Sequence, residues 1–176
     1  RKDIAIGIVA PDGRDAMLQH AEQFAKAGVP FIFDPGQGLP MFNGDELNAF
    51  VQQATWVAVN DYEAKMLCDR TGHTLESLSH SHLAGVIVTL GAEGCELWEQ
   101  GVRTHIPGVK AAEVVDPTGC GDAFRGALLF GLERGWPLAE CVALDIVFSP
   151  LAQGQLTDRY LKRIQWPTKV TELPDR

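Results

Sequence analysis

The chain has 176 residues, 45% hydrophobic and 22% charged, enough to build one domain around a real core. Its net charge of −8 argues against a nucleic-acid backbone as the main partner, although backbone amides can cradle a phosphate inside an acidic protein. No apolar stretch approaches the roughly 20 residues that span a bilayer, so no membrane partner is expected.

Apolar runs alternate with amphipathic ones. Ile4 to Val9 reads as a buried strand, followed by a helix from about Asp12 to Lys26. Met17, Leu18, Ala21, Phe24 and Ala25 give that helix one apolar face, and Gly28 is a natural stop. Val29 to Phe33 is a second strand, Asp34 to Gly38 a turn, and Asp45 to Gln53 a short helix. Thr55 to Val59 is a third strand, with a helix starting near Asn60. Gly85 to Leu90 is a fourth strand, and Gly91 to Gly94 is a turn. Cys95 to Glu99 and Val102 to Ile106 form a hairpin around Gln100-Gly101. After Val114-Val115 a glycine motif opens a long helix over Ala123 to Arg134. This alternation predicts an α/β fold, a mostly parallel sheet with helices on both faces, whose ligands bind at the carboxyl ends of the strands.

The opening residues, Arg1-Lys2-Asp3, run straight into a strand with no signal-peptide pattern, as in the middle of a larger protein. The four cysteines (Cys68, Cys95, Cys120, Cys141) lie far apart without a CxxC pair, which fits a reduced, cytoplasmic setting without structural zinc. His80-Ser81-His82 offers two imidazoles but no third ligand nearby and reads as a solvated loop.

Asp116-Pro117-Thr118-Gly119-Cys120-Gly121-Asp122-Ala123-Phe124 is the most informative stretch. Glycines flanking a small residue at a helix start present consecutive N–H groups to an anion, and they let a phosphate approach closely. An acid at that mouth, Asp122, can take a proton from an attacking hydroxyl, which suggests phosphoryl transfer. A glycine turn capped by an acid is also ordinary helix architecture, and on residues alone both readings stand. Asn60 and Glu63 have the same double meaning. Their oxygens can order water around Mg²⁺, or the pair can be a capping box. Thr89-Leu90-Gly91-Ala92-Glu93-Gly94 can pack against a nucleotide or serve as a plain turn.

Other motifs fail. There is no GxxxxGK[ST], and no GxSxG for an esterase. Gly119 to Phe124 begins like GxGxxG but has Phe124 where a glycine or alanine belongs.

Asp116 to Phe124 resembles the C-terminal signature of the ribokinase/PfkB family of sugar and nucleoside kinases. Asn60-x-x-Glu63 is similar to that family's NxxE motif, and Thr89-Leu90-Gly91-x-x-Gly94 to its nucleotide-contacting turn, all in family order. Phe33-Asp34-Pro35-Gly36-Gln37 looks more like the adenosine-kinase-type members than the fructokinases. The resemblance implies a three-layer, ribokinase-like Rossmann-type fold and ATP-dependent transfer to a hydroxyl of a nucleoside or sugar.

Under this resemblance Asp122 is the base, and the N–H groups of Gly119, Cys120 and Gly121 form the anion hole. Glu63 with Asn60 organises Mg²⁺ through water. Thr89, Gly91 and Gly94 line the ATP site, Asp34 lies near the phosphates, and Arg125 assists. The expected state is a monomer or homodimer.

The family is considerably longer, and its N-terminal part supplies the lid and most substrate contacts. Residues 1–143 therefore read as the C-terminal, nucleotide-binding portion. The resemblance stops at Ala143, where Leu144 to Pro150 replaces the family's small-residue helix, so 144–176 reads as a divergent tail. The alternative to a kinase is a non-catalytic truncated remnant or nucleotide-binding module.

Overall fold

The computed structural model describes residues 4–108 and 120–148. Strand β1 (Gly7–Val9) leads into helix α1 (Arg14–Ala27), then β2 (Phe31–Phe33), a 3₁₀ helix over Gly36–Met41 and α2 (Gly44–Gln53). Next come β3 (Trp56–Asn60), α3 (Asp61–Thr71), α4 (Leu75–Ser79) and β4 (Gly85–Thr89). A 3₁₀ turn over Gly91–Glu93 opens the hairpin of β5 (Gly94–Glu99) and β6 (Val102–Pro107). Two helices close the described chain, α5 (Cys120–Glu133) and α6 (Leu138–Phe148).

Among the described residues the strands form one six-stranded sheet in the order β1-β2-β3-β4-β5-β6. β1 to β4 are parallel, and β5 and β6 add to the edge as an antiparallel hairpin. Because the strands advance in one direction, successive crossovers of one hand place their helices on one face. That face buries Phe31, Phe33, Val57, Val59, Val86 and Val88 against α1 to α4. The alternate residues Ile32, Ala58 and Ile87, with Cys95 and Leu97, point the other way and meet Phe124, Leu128, Leu138, Cys141 and Val142 of α5 and α6. The period of two in each strand thus makes three layers.

The first core is aromatic at its centre. Phe33 stacks on Phe50 with centroids 4.4 Å apart, and Phe42 meets Phe50 edge-on at 4.9 Å. The end of α1 is a Schellman motif: left-handed Gly28 donates to the Ala25 carbonyl, and Val29 donates to that of Phe24. Gln100 and Gly101 both have positive φ, as a tight type I′ hairpin requires.

The structure departs from the sequence reading in specific places. β1 begins at Gly7 rather than Ile4, and the Asp34 turn runs into the 3₁₀ helix. Two helices were not anticipated. α4 is a single short turn fixed by a reciprocal Thr74–Ser77 capping box, too short to show periodicity. α6 is largely apolar, interrupted by Glu140 and Asp145, and shows little amphipathic periodicity; it packs against α5 and the hairpin. It runs to Phe148, past the point where the resemblance stops. Val114-Val115, Asp116 to Gly119 and the tail from Ser149 lie outside the described residues.

Candidate active site

Most of the motif residues gather at the carboxyl edge of the parallel strands. Asp34 follows β2, where its N–H donates to the Val9 carbonyl at 3.0 Å and extends the ladder with β1. Asn60 ends β3 and Thr89 ends β4, and the two stand opposite each other in register. From the other face of the sheet, α5 brings Cys120, Gly121 and Asp122 in its first turn, with Arg125 one turn further on. Gly119 lies outside the described residues, and of Cys120 only the backbone is described.

The pleat determines which way Asp34 points. Phe31 and Phe33 face α1 and α2, so Ile32 and then Asp34 face α5. There the carboxylate receives a two-point bond from Arg125: Nε donates to Oδ2 at 2.7 Å and Nη2 to Oδ1 at 3.1 Å. The third nitrogen, Nη1, donates to Asp122 Oδ1 at 2.9 Å. Asp34 is 7% exposed, whereas the Asp122 side chain is 83% exposed to solvent. One guanidinium therefore joins a buried carboxylate on the sheet to an open one on the helix. The hydrogen bond to Asp34 is the main reason that the Arg125 pKa is raised, with burial opposing it.

Asn60 and Glu63 form the capping box in full. Asn60 Oδ1 accepts the Glu63 N–H at 2.7 Å, and Glu63 Oε2 accepts the Asn60 N–H at 2.9 Å. The Asn60 side chain also interacts with the Glu63 carboxyl, so amide and carboxylate act as one group. Burial pushes the Glu63 carboxyl above its ordinary value; the Asn60 backbone opposes this, nearby Asp34 adds to it and Arg125 subtracts. Glu63 thus shares its electrostatic surroundings with Asp34 and Arg125. Among the described residues no three His, Cys, Asp or Glu side chains assemble into a metal cage. A half-buried carboxyl beside an amide oxygen still fits a cation that retains much of its own water, which is the habit of Mg²⁺.

The turn after β4 is built around its glycines. Gly91 and Gly94 have φ of 59° and 95°, and a side chain on Gly94 would overlap the Ile106 carbonyl. Leu90 donates to the Gly94 carbonyl at 2.8 Å, closing the turn beside Thr89. His80 and His82 take no part. The His82 ring bonds the Ala54 carbonyl at 3.2 Å, and His80 packs under Gly101.

The family model of the pfkB family carbohydrate kinases matches residues 4–144. The chain belongs to the pfkB family. The nucleoside kinase of Methanocaldococcus jannaschii is 28% identical to it over 109 residues, 62% of this chain and 36% of that protein. The aminoimidazole riboside kinase of Salmonella typhimurium is 31% identical over 137 residues, 74% of this chain and 43% of that one. A structure of Burkholderia thailandensis nucleoside kinase in complex with inosine is 48% identical, with a TM-score of 0.82, over 86% of this chain and 49% of the other. The same enzyme in complex with ADP-inosine gives 48% identity and a TM-score of 0.81, over 86% and 47%. This pfkB chain spans less than half the length of the curated relatives that it matches.

The sequence did not reveal the Asp34–Arg125–Asp122 grouping in this pfkB chain. Part of the signal was present: Asp122 and Arg125 are an i,i+3 pair, and strand parity turns Asp34 toward the α5 face. Their meeting across 91 residues needed the fold.

Proposed function

We propose that this chain carries the phosphoryl-transfer centre of a cytoplasmic, ATP-dependent kinase whose acceptor is a hydroxyl of a nucleoside. The observation that carries the proposal is the exposed Asp122 carboxylate in the first turn of α5, at the carboxyl edge of the sheet. Family membership and 48% identity to an enzyme crystallised with inosine support a nucleoside over a free sugar.

Asp122 accepts the proton of the acceptor hydroxyl as its oxygen attacks the γ-phosphorus. The bond from that phosphorus to the bridging oxygen breaks, and ADP leaves with the electron pair. The N–H groups that open α5, at Cys120 and Gly121 with Gly119 before them, offer donors to the charge on the transferred group. Thr89, Gly91 and Gly94 border the space for ATP. Glu63 and Asn60 would hold Mg²⁺ through water, and when bound the ion would supply positive charge beside the phosphates.

The test is ADP release from ATP with adenosine, inosine, ribose and fructose, with and without Mg²⁺, in the native protein and in Asp122→Asn. Transfer that depends on Mg²⁺ and falls by orders of magnitude in the variant bears the reading out. A folded chain that binds ATP and transfers nothing is a nucleotide-binding module instead.

A further inference from the structure

We propose that Asp34 and Arg125 are a positioning pair for the general base: Asp34 fixes the guanidinium, and the guanidinium fixes the Asp122 carboxylate. The inference rests on the reading of Asp122 as proton acceptor, and it changes the role of Asp34 from a neighbour of the phosphates to an anchor.

The geometry sets an order among the three groups. Asp34 is buried at the end of a strand whose backbone is tied to β1, so its carboxylate is the immobile member. Both of its oxygens are engaged by Arg125, through Nε and Nη2. Such a fork fixes the plane as well as the place of a guanidinium, which a lysine ammonium cannot do. The remaining edge, at Nη1, reaches Asp122. Among the described residues that bond is the only side-chain hydrogen bond Asp122 makes. A carboxylate as exposed as this one would otherwise sample several rotamers. The sheet therefore determines where the base sits, through one arginine, although base and sheet belong to different layers.

Chemistry supports the same assignment. A bare carboxylate beside ATP would repel the phosphates, whereas a carboxylate neutralised by a two-point arginine does not. Removing Arg125 would leave Asp34 buried and unpaired, so the pair acts as a unit.

The test uses the longest available polypeptide containing this chain. Arg125→Lys keeps the charge and loses the fork, and Asp34→Asn keeps the shape and loses the charge. Each is expected to lower kcat about ten- to hundredfold, as misplacing a reacting group does, with KM for ATP and acceptor nearly unchanged. In an Asp122→Asn background, Arg125→Lys should add no further loss, since it acts only through that carboxylate. Losses that multiply independently would overturn the proposal in favour of direct contact with the phosphoryl group, and so would a raised KM with kcat intact.

NMR of the nucleotide-free protein provides a readout separate from turnover. Asp34→Asn should move both the Arg125 Nε–H resonance and the Asp122 carboxyl carbon. An Asp122 signal indifferent to Asp34 would overturn the pairing whether or not the protein is active. If Asp34→Asn does not fold, the Asp122 carbon in Arg125→Lys decides in the same way. Absence of transfer in the native protein defeats the functional reading alone.

Discussion

A second Asn-x-x-Glu capping box allows the Asn60–Glu63 pair to be tested against an internal control. Asn43 and Glu46 at the start of α2 form the same reciprocal box, with bonds of 2.9 and 3.0 Å, against 2.7 and 2.9 Å at Asn60. Replacing either asparagine by alanine removes one acceptor for one orphan N–H, which costs about 1 kcal/mol. For a domain of this size that corresponds to about 2–4 °C in Tm. Only Asn60 stands opposite Thr89 at the carboxyl edge, beside the Glu63 that senses Asp34 and Arg125. Asn60→Ala and Asn43→Ala should therefore melt alike, while Asn60→Ala alone loses about ten- to hundredfold in turnover, the usual effect of removing a group that orients a site. Calorimetry and ADP release on the two variants measure both quantities. If Asn60→Ala is merely as destabilised as Asn43→Ala and fully active, Asn60 is a cap and nothing more. Equal losses of activity in both variants would show that turnover follows helix stability.

The other predictions concern packing and titration. Phe50→Ala removes the ring shared by Phe33 and Phe42 and should destabilise by about 3–5 kcal/mol in chemical denaturation. A methyl group at Gly44 would overlap the Arg70 carbonyl, so Gly44→Ala should lower the unfolding free energy from chemical denaturation by about 1–3 kcal/mol, despite alanine's better helix propensity. Glu63 titrates above its ordinary 4.5, so the fold favours its protonated form. Its contribution to stability is most favourable at low pH and falls as pH rises from that value through the folded one. Glu63→Gln should gain in Tm over the native protein as pH rises above about 4.5, and a gap that shrinks with rising pH would refute the assignment.

Most of the sheet was legible because each strand states its pattern locally. Val86, Ile87 and Val88 form an apolar run, and the alternation of helix and strand around it implies a doubly covered sheet. The box at Asn60 follows from residue spacing, and so does the stop at Gly28, while the same spacing at Asn43 went unread. What escaped depends on packing. α6 packs chiefly against α5, and its largely apolar sequence shows little helical periodicity to read. The 3₁₀ segment holds Pro40, and Arg70 from α3 donates to the carbonyls of Leu39, Pro40 and Phe42; sequence proximity gives no sign of this tether. At the site the individual residues were visible, but the ion pair that orders them was not. A salt bridge between β2 and α5 depends on which layer each occupies.

The strand order has a consequence for how the chain is made. Since β1 to β4 lie side by side in the order in which they are synthesised, each new strand leaving the ribosome finds its neighbour already out. The α1–α4 side can thus be assembled piece by piece through short loops, with little search. The opposite side waits. Among the described residues Ile32, Ala58, Ile87 and Leu97 are covered by α5 and α6, and α5 also brings Asp122 and Arg125. This part of the nascent chain would be stickiest just before α5 arrives, so closing that hydrophobic side and assembling the proposed site are one event.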